Sequence, residues 1–323
     1  MMLLASGVNF GMRLTIPHMM GVCLGFTVML VIVGLILLQK HIIGNRRFET
    51  VSGKGYSPRP AKLGPLSRFA CFAVEVFYIG FGAILPLIAV MLVALSPLWR
   101  GWFDPKHATL ENFRYVLEEF DMTQHAILNS TFLSVLGATL IVALGFLQAY
   151  RLQSRQGWLA KTLQPVLSMP NGIPGIIFGL GILILLIRTP LYGTYWIILI
   201  AYVAHYFPFA MRSLGALLMS LSPELEQSAR SCGATWWQTL RMVVIPLSRP
   251  GLIATWLMLF IILVRELGST ILLYGQGTET ISVAMLLLSE QNFLYVAALA
   301  IVQVALLSLA FALLSRNSKS LFQ

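Results

Sequence analysis

Long apolar runs alternate with short polar segments along most of the chain. Seven of these runs are near the length that an α-helix needs to cross a hydrocarbon layer about 30 Å thick, at about 1.5 Å per residue. The pattern therefore predicts an all-α, polytopic integral membrane protein with about seven transmembrane helices. The predicted spans lie at roughly 19–39, 69–95, 127–150, 164–187, 193–219, 251–273 and 293–314.

The composition supports a membrane protein. Of the 323 residues, 58% are hydrophobic and only 11% are charged, and the mean hydropathy is +0.82. The net charge is +10, but the basic residues lie between the apolar runs and form no single stripe, which argues against a nucleic-acid partner. The basic linker at 41–68 is instead expected to lie near anionic membrane lipid.

Lysine and arginine predict the orientation. If the loop after the first span is cytoplasmic, five of these residues lie outside and one, Arg265, lies within a span. This positive-inside bias places the N-terminus outside and the C-terminus in the cytoplasm. Sixteen residues then lie inside: Lys40, Arg46, Arg47, Lys54, Arg59, Lys62, Arg68, Arg151, Arg155, Lys161, Arg212, Arg230, Arg241, Arg249, Arg316 and Lys319.

Motifs of enzymes and metal sites are missing from the sequence. It has no G-x-S-x-G, no H-E-x-x-H and no His, Cys or acidic residues at metal-ligand spacing. The three cysteines lie in separate segments without C-x-x-C spacing. The sequence therefore predicts no catalytic residue, no metal and no cofactor.

The run at 164–187 is interrupted by helix breakers, among them Pro170, Pro174 and Gly175. Breaks at membrane depth persist only where neighbouring helices or a water-lined cavity satisfy the freed backbone groups. The run is thus either a kink that serves packing or a broken helix that lines a pathway.

Four ionisable residues are candidates for polar groups inside the predicted spans, Glu75, His205, Arg265 and Glu266, and such groups are unfavourable there unless they face the interior. Glu75 lies about one or two turns from the cytoplasmic end of its span and could snorkel to it. His205 is predicted to be packed or hydrogen-bonded. Arg265 and Glu266 are adjacent and point about 100° apart on a helix, so they need not pair. We expect them at a subunit interface or along a pathway.

The polar segment 222–250 between the spans at 193–219 and 251–273 predicts two short helices. Ser222 is suited to be an N-cap with Pro223 at the first helical position, and Gly233 suits the left-handed end of that helix. Thr235 and Gln238 fit a capping box at the start of the second helix, and Pro246 marks its predicted end. Such a pair could dock on a soluble partner or rest on lipid.

The same segment resembles the EAA loop of binding-protein-dependent ABC transporter permeases, whose pattern is E-A-A-x3-G-x9-I-x-L-P. Gly233 and Pro246 match it, Ala229 matches the second alanine, and Val243 and Ile245 replace Ile and Leu. Gln227 stands at the position of the glutamate and Ser228 at that of the first alanine, with Glu226 adjacent. The resemblance implies that these residues, Glu226, Gln227, Ser228, Ala229, Gly233, Val243, Ile245 and Pro246, couple the permease to an ATPase.

The segments "RRFETVSGKGYSPRP", "MPNGIPGIIFGLG" and "VRELGSTILLYGQGTETISV" look like the ferric-iron branch of these permeases, in which two six-span halves are typically fused. The resemblance implies that residues 1–40 are the last helix of a preceding half and 41–68 a cytoplasmic linker. Residues 69–316 would be the permease domain and 317–323 a cytoplasmic tail.

The implied function is the permease subunit of an inner-membrane importer that carries a small solute, with ferric iron as the leading cargo. Phosphonate, thiamine, polyamine and sulfate are the alternatives. The implied partners are an ATP-binding subunit, a second permease half and a periplasmic or extracellular solute-binding protein. A membrane scaffold or truncated half-permease that transports nothing is the alternative from another class.

Overall fold

The computed structural model describes residues 64–154 and 167–319. The predicted span at 19–39, most of the predicted linker at 41–68, the orientation of the N-terminus and the last residues of the predicted tail lie outside these ranges. Within them the α-helices are α1 (Pro65–Ile79), α2 (Leu85–Ala94), α3 (Glu111–Arg114), α4 (Met122–Ser154), α5 (Gly175–Leu186), α6 (Tyr195–Met219), α7 (Pro223–Ser231), α8 (Trp236–Thr239), α9 (Ile245–Val264), α10 (Thr270–Leu273), α11 (Ile281–Gln291) and α12 (Phe293–Lys319).

Five stretches of the described chain are long and apolar enough to cross a membrane, and each overlaps one of the predicted spans. No strand occurs in the described ranges. The all-α, polytopic class is therefore confirmed. The five stretches are Pro65–Ala94, Met122–Leu152, Tyr195–Met219, Trp236–Val264 and Phe293–Ala312.

The span predicted at 164–187 is broken in its described part. A 3₁₀ turn at Met169–Gly172 is followed by Ile173 in an extended conformation, and α5 begins only at Gly175, after Pro174. The 12 residues of α5 measure about 18 Å, less than the hydrocarbon thickness. The predicted break is confirmed, and a single continuous span here is wrong.

One boundary and one helix also differ from the prediction. The span expected at 251–273 ends at Val264, because Arg265 leaves the helical conformation with φ −100° and ψ 8°. The eleven-residue helix α11 was not expected. It is too short to span a bilayer, so a pattern judged by span length does not reveal it.

Among the described residues, 135–154 and 167–274 belong to one compact unit, and 64–134 and 275–319 belong to a second. In the first unit, α4 and α6 approach closely at glycine: a Cβ on Gly145 would lie 2.8 Å from the Cβ of Ala210. The fully buried Tyr202 shares a hydrogen bond of 2.8 Å with Thr270, so α6 is also tied to α10.

In the second unit, α12 packs along α2. The rings of Tyr115 and Tyr295 stack with centroids 4.1 Å apart. The buried amide of Asn112 donates to the carbonyls of Ala94 and Ser96 at 2.9 and 2.8 Å, so its donors are satisfied. Helix α3 and the π turn Tyr115–Glu119 that follows it are thus tied to the chain after α2 and to α12.

Candidate functional site

The first helix of the polar loop, α7, begins as the sequence predicts. Ser222 has extended backbone and its Oγ accepts a hydrogen bond of 3.3 Å from the N–H of Glu224. Pro223 occupies the first helical position, where a missing N–H carries no penalty. Glu224 and Glu226 place negative charge in the first turn, which favours the positive end of the helix dipole.

The same helix ends in a Schellman motif at Gly233. Gly233 has φ +85°, and its N–H donates to the carbonyl of Arg230 at 2.9 Å. The N–H of Ala234 donates to the carbonyl of Ala229 at 3.1 Å. These two bonds define the motif, in which a left-handed residue, usually glycine, follows the helix. The predicted glycine end is confirmed.

The second helix begins with the predicted capping box. The N–H of Thr235 donates to Oε1 of Gln238 at 2.8 Å, and the N–H of Gln238 donates to Oγ1 of Thr235 at 3.4 Å. Both end groups are thus satisfied by side chains of the same turn. The loop therefore presents two helices joined at Gly233.

The predicted end of the second helix at Pro246 is wrong. Helix α8 continues through a π turn at Leu240–Val244 into α9, and Pro246 is the second residue of α9. Proline lacks an N–H and normally disrupts the hydrogen bonds of a helix interior, and the wider π turn accommodates it. The turn Gly80–Ile84 precedes Pro86 in the same way.

A polar cluster fastens α7 to α4. The hydroxyl of Tyr150 donates to Oε1 of Glu226 at 2.9 Å, and Arg230 donates to the same oxygen at 2.6 Å. Hydrogen bonding with Tyr150 and the charge of Glu226 raise the pKa of the Arg230 guanidinium. Gln227, at the position of the family's glutamate, is exposed instead. The adjacent Glu226 is thus the acidic side chain that hydrogen bonds hold between α4 and α7.

A cavity of about 440 Å³ lies beside this cluster. Its lining combines the polar cluster with apolar side chains of α6 and α9, among them Leu218 and Leu247. The exposed Trp237 and the half-buried Ala229 lie on the helix pair itself. The loop thus has both a polar anchor to the membrane helices and an exposed surface.

Glu226→Gln is expected to weaken transport-linked ATP hydrolysis about two- to fivefold, because it removes the charge that Arg230 and Tyr150 contact in a partly exposed setting. Glu224→Gln is the matched control, since Glu224 lies in the same turn and is exposed. ATP hydrolysis by the assembled transporter measures both variants. Equal losses in the two would contradict an anchoring role for Glu226.

A second cluster forms where α9 ends. Both carboxylate oxygens of Glu266 are engaged: Oε1 accepts from the N–H and the Oγ of Ser269 at 2.9 and 3.1 Å, and Oε2 accepts from the hydroxyl of Tyr206. A Cβ on Gly175, the first residue of α5, would lie 3.0 Å from Oε1. Pro174 and Gly175 therefore lie beside Glu266.

Three other residues were predicted for a pathway or interface. His205 is buried and packs between the rings of Phe178 and Tyr206, each 4.8 Å away, as the sequence predicts for a packed histidine. Pro170 lies in the 3₁₀ turn, which packs against α6. Arg265 is exposed.

Sequence reasoning did not single out Tyr206 or Ser269 in this region. A Cβ on Gly179 would lie 2.8 Å from the Cα of Ser269, so α5 reaches the chain after α9 at van der Waals distance. In the sequence, the polar and small residues of "RELGST" were the available signal that this segment makes close polar contacts. Their contacts depend on chain segments far apart in sequence.

The fold, with five helical stretches long and apolar enough to cross a membrane in its described part, defines a multi-pass membrane protein. The chain belongs to the family of binding-protein-dependent transport system inner membrane components, which matches residues 141–322. It is therefore the permease subunit of an ABC importer, a multi-pass protein of the inner membrane.

The chain is similar to two relatives of this family and to one solved structure. A Salmonella paratyphi A protein named as 2-aminoethylphosphonate transport system permease PhnV is 32% identical over 263 residues, which are 80% of this chain and 98% of that protein. The Haemophilus influenzae ferric transport system permease FbpB 1 is 24% identical over 79% of this chain and 40% of its own length. A bacterial ABC transporter involved in the import of alginate shares the fold, with a TM-score of 0.60, 19% identity and coverage of 78% and 95%.

Proposed function

We propose that this permease takes up a small phosphonate, with 2-aminoethylphosphonate as the first candidate. The observation that supports it is the similarity to the Salmonella protein, which extends over 98% of that relative. Ferric iron, the leading cargo inferred from the sequence, is the second candidate. It rests on relatives such as the Haemophilus protein, of which 40% is matched.

The proposed assembly contains this chain, a second permease half, an ATP-binding subunit on the cytoplasmic side and a solute-binding protein on the outer side. The exposed helix pair α7–α8 would dock on the ATP-binding subunit, with Gly233 as its hinge and Glu226 as its anchor. Closure of the ATPase would move the helix pair, and α9, which continues from it, would carry that motion into the membrane.

The proposed topology keeps the positive-inside orientation, with residues 222–250 and the C-terminus in the cytoplasm. The outer helix α3 and the π turn after it carry exposed Glu118 and Glu119. This acidic surface is the proposed contact for the solute-binding protein. The domain limits at 1–40, 41–68, 69–316 and 317–323 remain predictions.

Uptake of labelled cargo by the complete transporter in proteoliposomes tests the proposal. We expect ATP-dependent uptake of 2-aminoethylphosphonate that requires the solute-binding protein, with ferric iron as the competing cargo in a parallel reaction. Uptake of ferric iron alone would contradict the phosphonate assignment. Uptake of neither, in a complex that still contains the ATPase, would favour the non-transporting scaffold.

A further inference from the structure

A positive charge without a partner lies at the end of α9. Arg265 follows the last helical residue, Val264, and its side chain is exposed. Within the ranges 64–154 and 167–319 its guanidinium forms no ion pair and no hydrogen bond. An arginine inside a bilayer is unfavourable unless it faces water, a cavity or a countercharge. Its depth in the membrane therefore decides what it can do.

The hydrogen bond between Tyr206 and Glu266 locates that depth. Tyr206 lies about 16 Å along α6 from its first residue, Tyr195, at about 1.5 Å per residue, and the whole helix of 25 residues measures about 37 Å. Glu266, and with it Arg265, thus lies beside the middle part of a membrane-spanning helix. The side chain of Arg265 is too deep to be treated as an ordinary interfacial residue.

The neighbouring carboxylate forms no ion pair with this arginine in the described part of the chain. Both oxygens of Glu266 are occupied by Tyr206 and Ser269. Through these bonds Glu266 stabilises the turn that ends α9 and ties it to α6. Glu266 is therefore a positioning residue, and the guanidinium of Arg265 remains free to meet a mobile group.

The exposed side of α9 leads toward the same point. Ala254 and Met258 are exposed and lie one turn apart on that helix. Arg265 comes about two turns after Met258, so it follows near the same side of the helix. The described chain leaves this side of α9 uncovered, so Arg265 lies on an open surface of the helix.

We propose that Arg265 faces the translocation pathway and contacts the phosphonate group of the cargo as it passes, an inference that rests on the proposed function. A guanidinium presents planar donors that match a tetrahedral oxyanion in two parallel hydrogen bonds. A single contact of this kind attracts the anion without holding it, as passage through a membrane requires.

Uptake of 2-aminoethylphosphonate by the complete transporter tests the contact. Arg265→Gln is expected to lower uptake about tenfold or more while the ATPase and the second permease half stay bound, because the charged donor is lost. Arg265→Lys keeps the charge and loses the planar fork, so its uptake is expected to lie between that of Arg265→Gln and that of the native chain. Arg188→Gln is the control, since it removes an exposed charge from the loop beyond α5.

Native uptake by Arg265→Gln would overturn the proposal. Loss of the second permease half from the purified Arg265→Gln complex would also overturn it, because the arginine would then be an ion-pair partner between subunits. If Arg188→Gln lowered uptake as much as Arg265→Gln, the loss of any positive charge would explain the result. A specific contact at Arg265 would then be contradicted.

Cysteine labelling separates this inference from the choice of cargo. Arg265→Cys is placed in a chain whose Cys23, Cys71 and Cys232 are serine, and is treated with membrane-impermeant 2-sulfonatoethyl methanethiosulfonate. We expect labelling that added 2-aminoethylphosphonate slows. Absence of labelling overturns the pathway position whatever the cargo. Labelling in a transporter that takes up only ferric iron would leave the position standing and overturn both the anion contact and the proposed cargo.

Discussion

Gly233→Pro is expected to separate the ATPase from the permease and to reduce ATP-driven uptake at least about tenfold. Gly233 has φ +85°, whereas proline holds φ near about −65°. The substitution also removes the N–H that donates to the carbonyl of Arg230. The end of α7 and the start of α8 cannot both keep their positions, so the helix pair loses its shape.

Gly233→Asn is the matched control, since asparagine enters the left-handed region more readily than other residues with a side chain. A Cβ at this position meets nothing within 4 Å, so the side chain has room. We expect this variant to retain most of the uptake and to copurify with the ATPase. Unchanged copurification and uptake in Gly233→Pro would contradict a coupling role for the loop.

Gly179→Ala is expected to destabilise the permease by about 1–3 kcal/mol, because the added methyl group would overpack a close helix contact. The new Cβ would lie 2.8 Å from the Cα and 3.0 Å from the carbonyl oxygen of Ser269, and both are backbone atoms that cannot swing away. The shift would strain the turn that holds Glu266. The fraction of detergent-solubilised protein that stays monodisperse after heating measures the effect.

Gly181→Ala provides the comparison on the same helix. Gly181 is exposed, and a Cβ there meets nothing within 4 Å. Alanine in place of glycine in a helix interior stabilises by up to about 1 kcal/mol, so this variant should be at least as stable as the native chain. Equal destabilisation of both variants would show that α5 does not make the close contact at Gly179.

The features predicted from sequence are those that depend on neighbouring residues. The N-cap at Ser222, the left-handed Gly233 and the capping box at Thr235 each involve groups within about one helical turn, so residue types at fixed spacing predict them. The break before α5 follows from Pro174 for the same reason. Local chemistry therefore predicted the shape of the loop well.

The features missed depend on register or on distant contacts. The π turn at Leu240–Val244 lets α9 run through Pro246, and residue preferences do not reveal such an extra residue in a turn. The bonds of Glu226 to Tyr150 and of Glu266 to Tyr206 join residues 76 and 60 positions apart. The sequence does not show which of two adjacent side chains, such as Glu226 and Gln227, contacts the neighbouring helix. The packed structure shows that it is Glu226.

The central claim is that the helix pair α7–α8 is the docking surface for the ATPase, and the native thiol of Cys232 tests it most directly. Cys232 is exposed at the end of α7, next to Gly233. With Cys23 and Cys71 replaced by serine, a bulky maleimide is expected to label the permease alone rapidly and the complex with the ATPase much more slowly. Equal labelling in the presence and absence of the ATPase would contradict the claim.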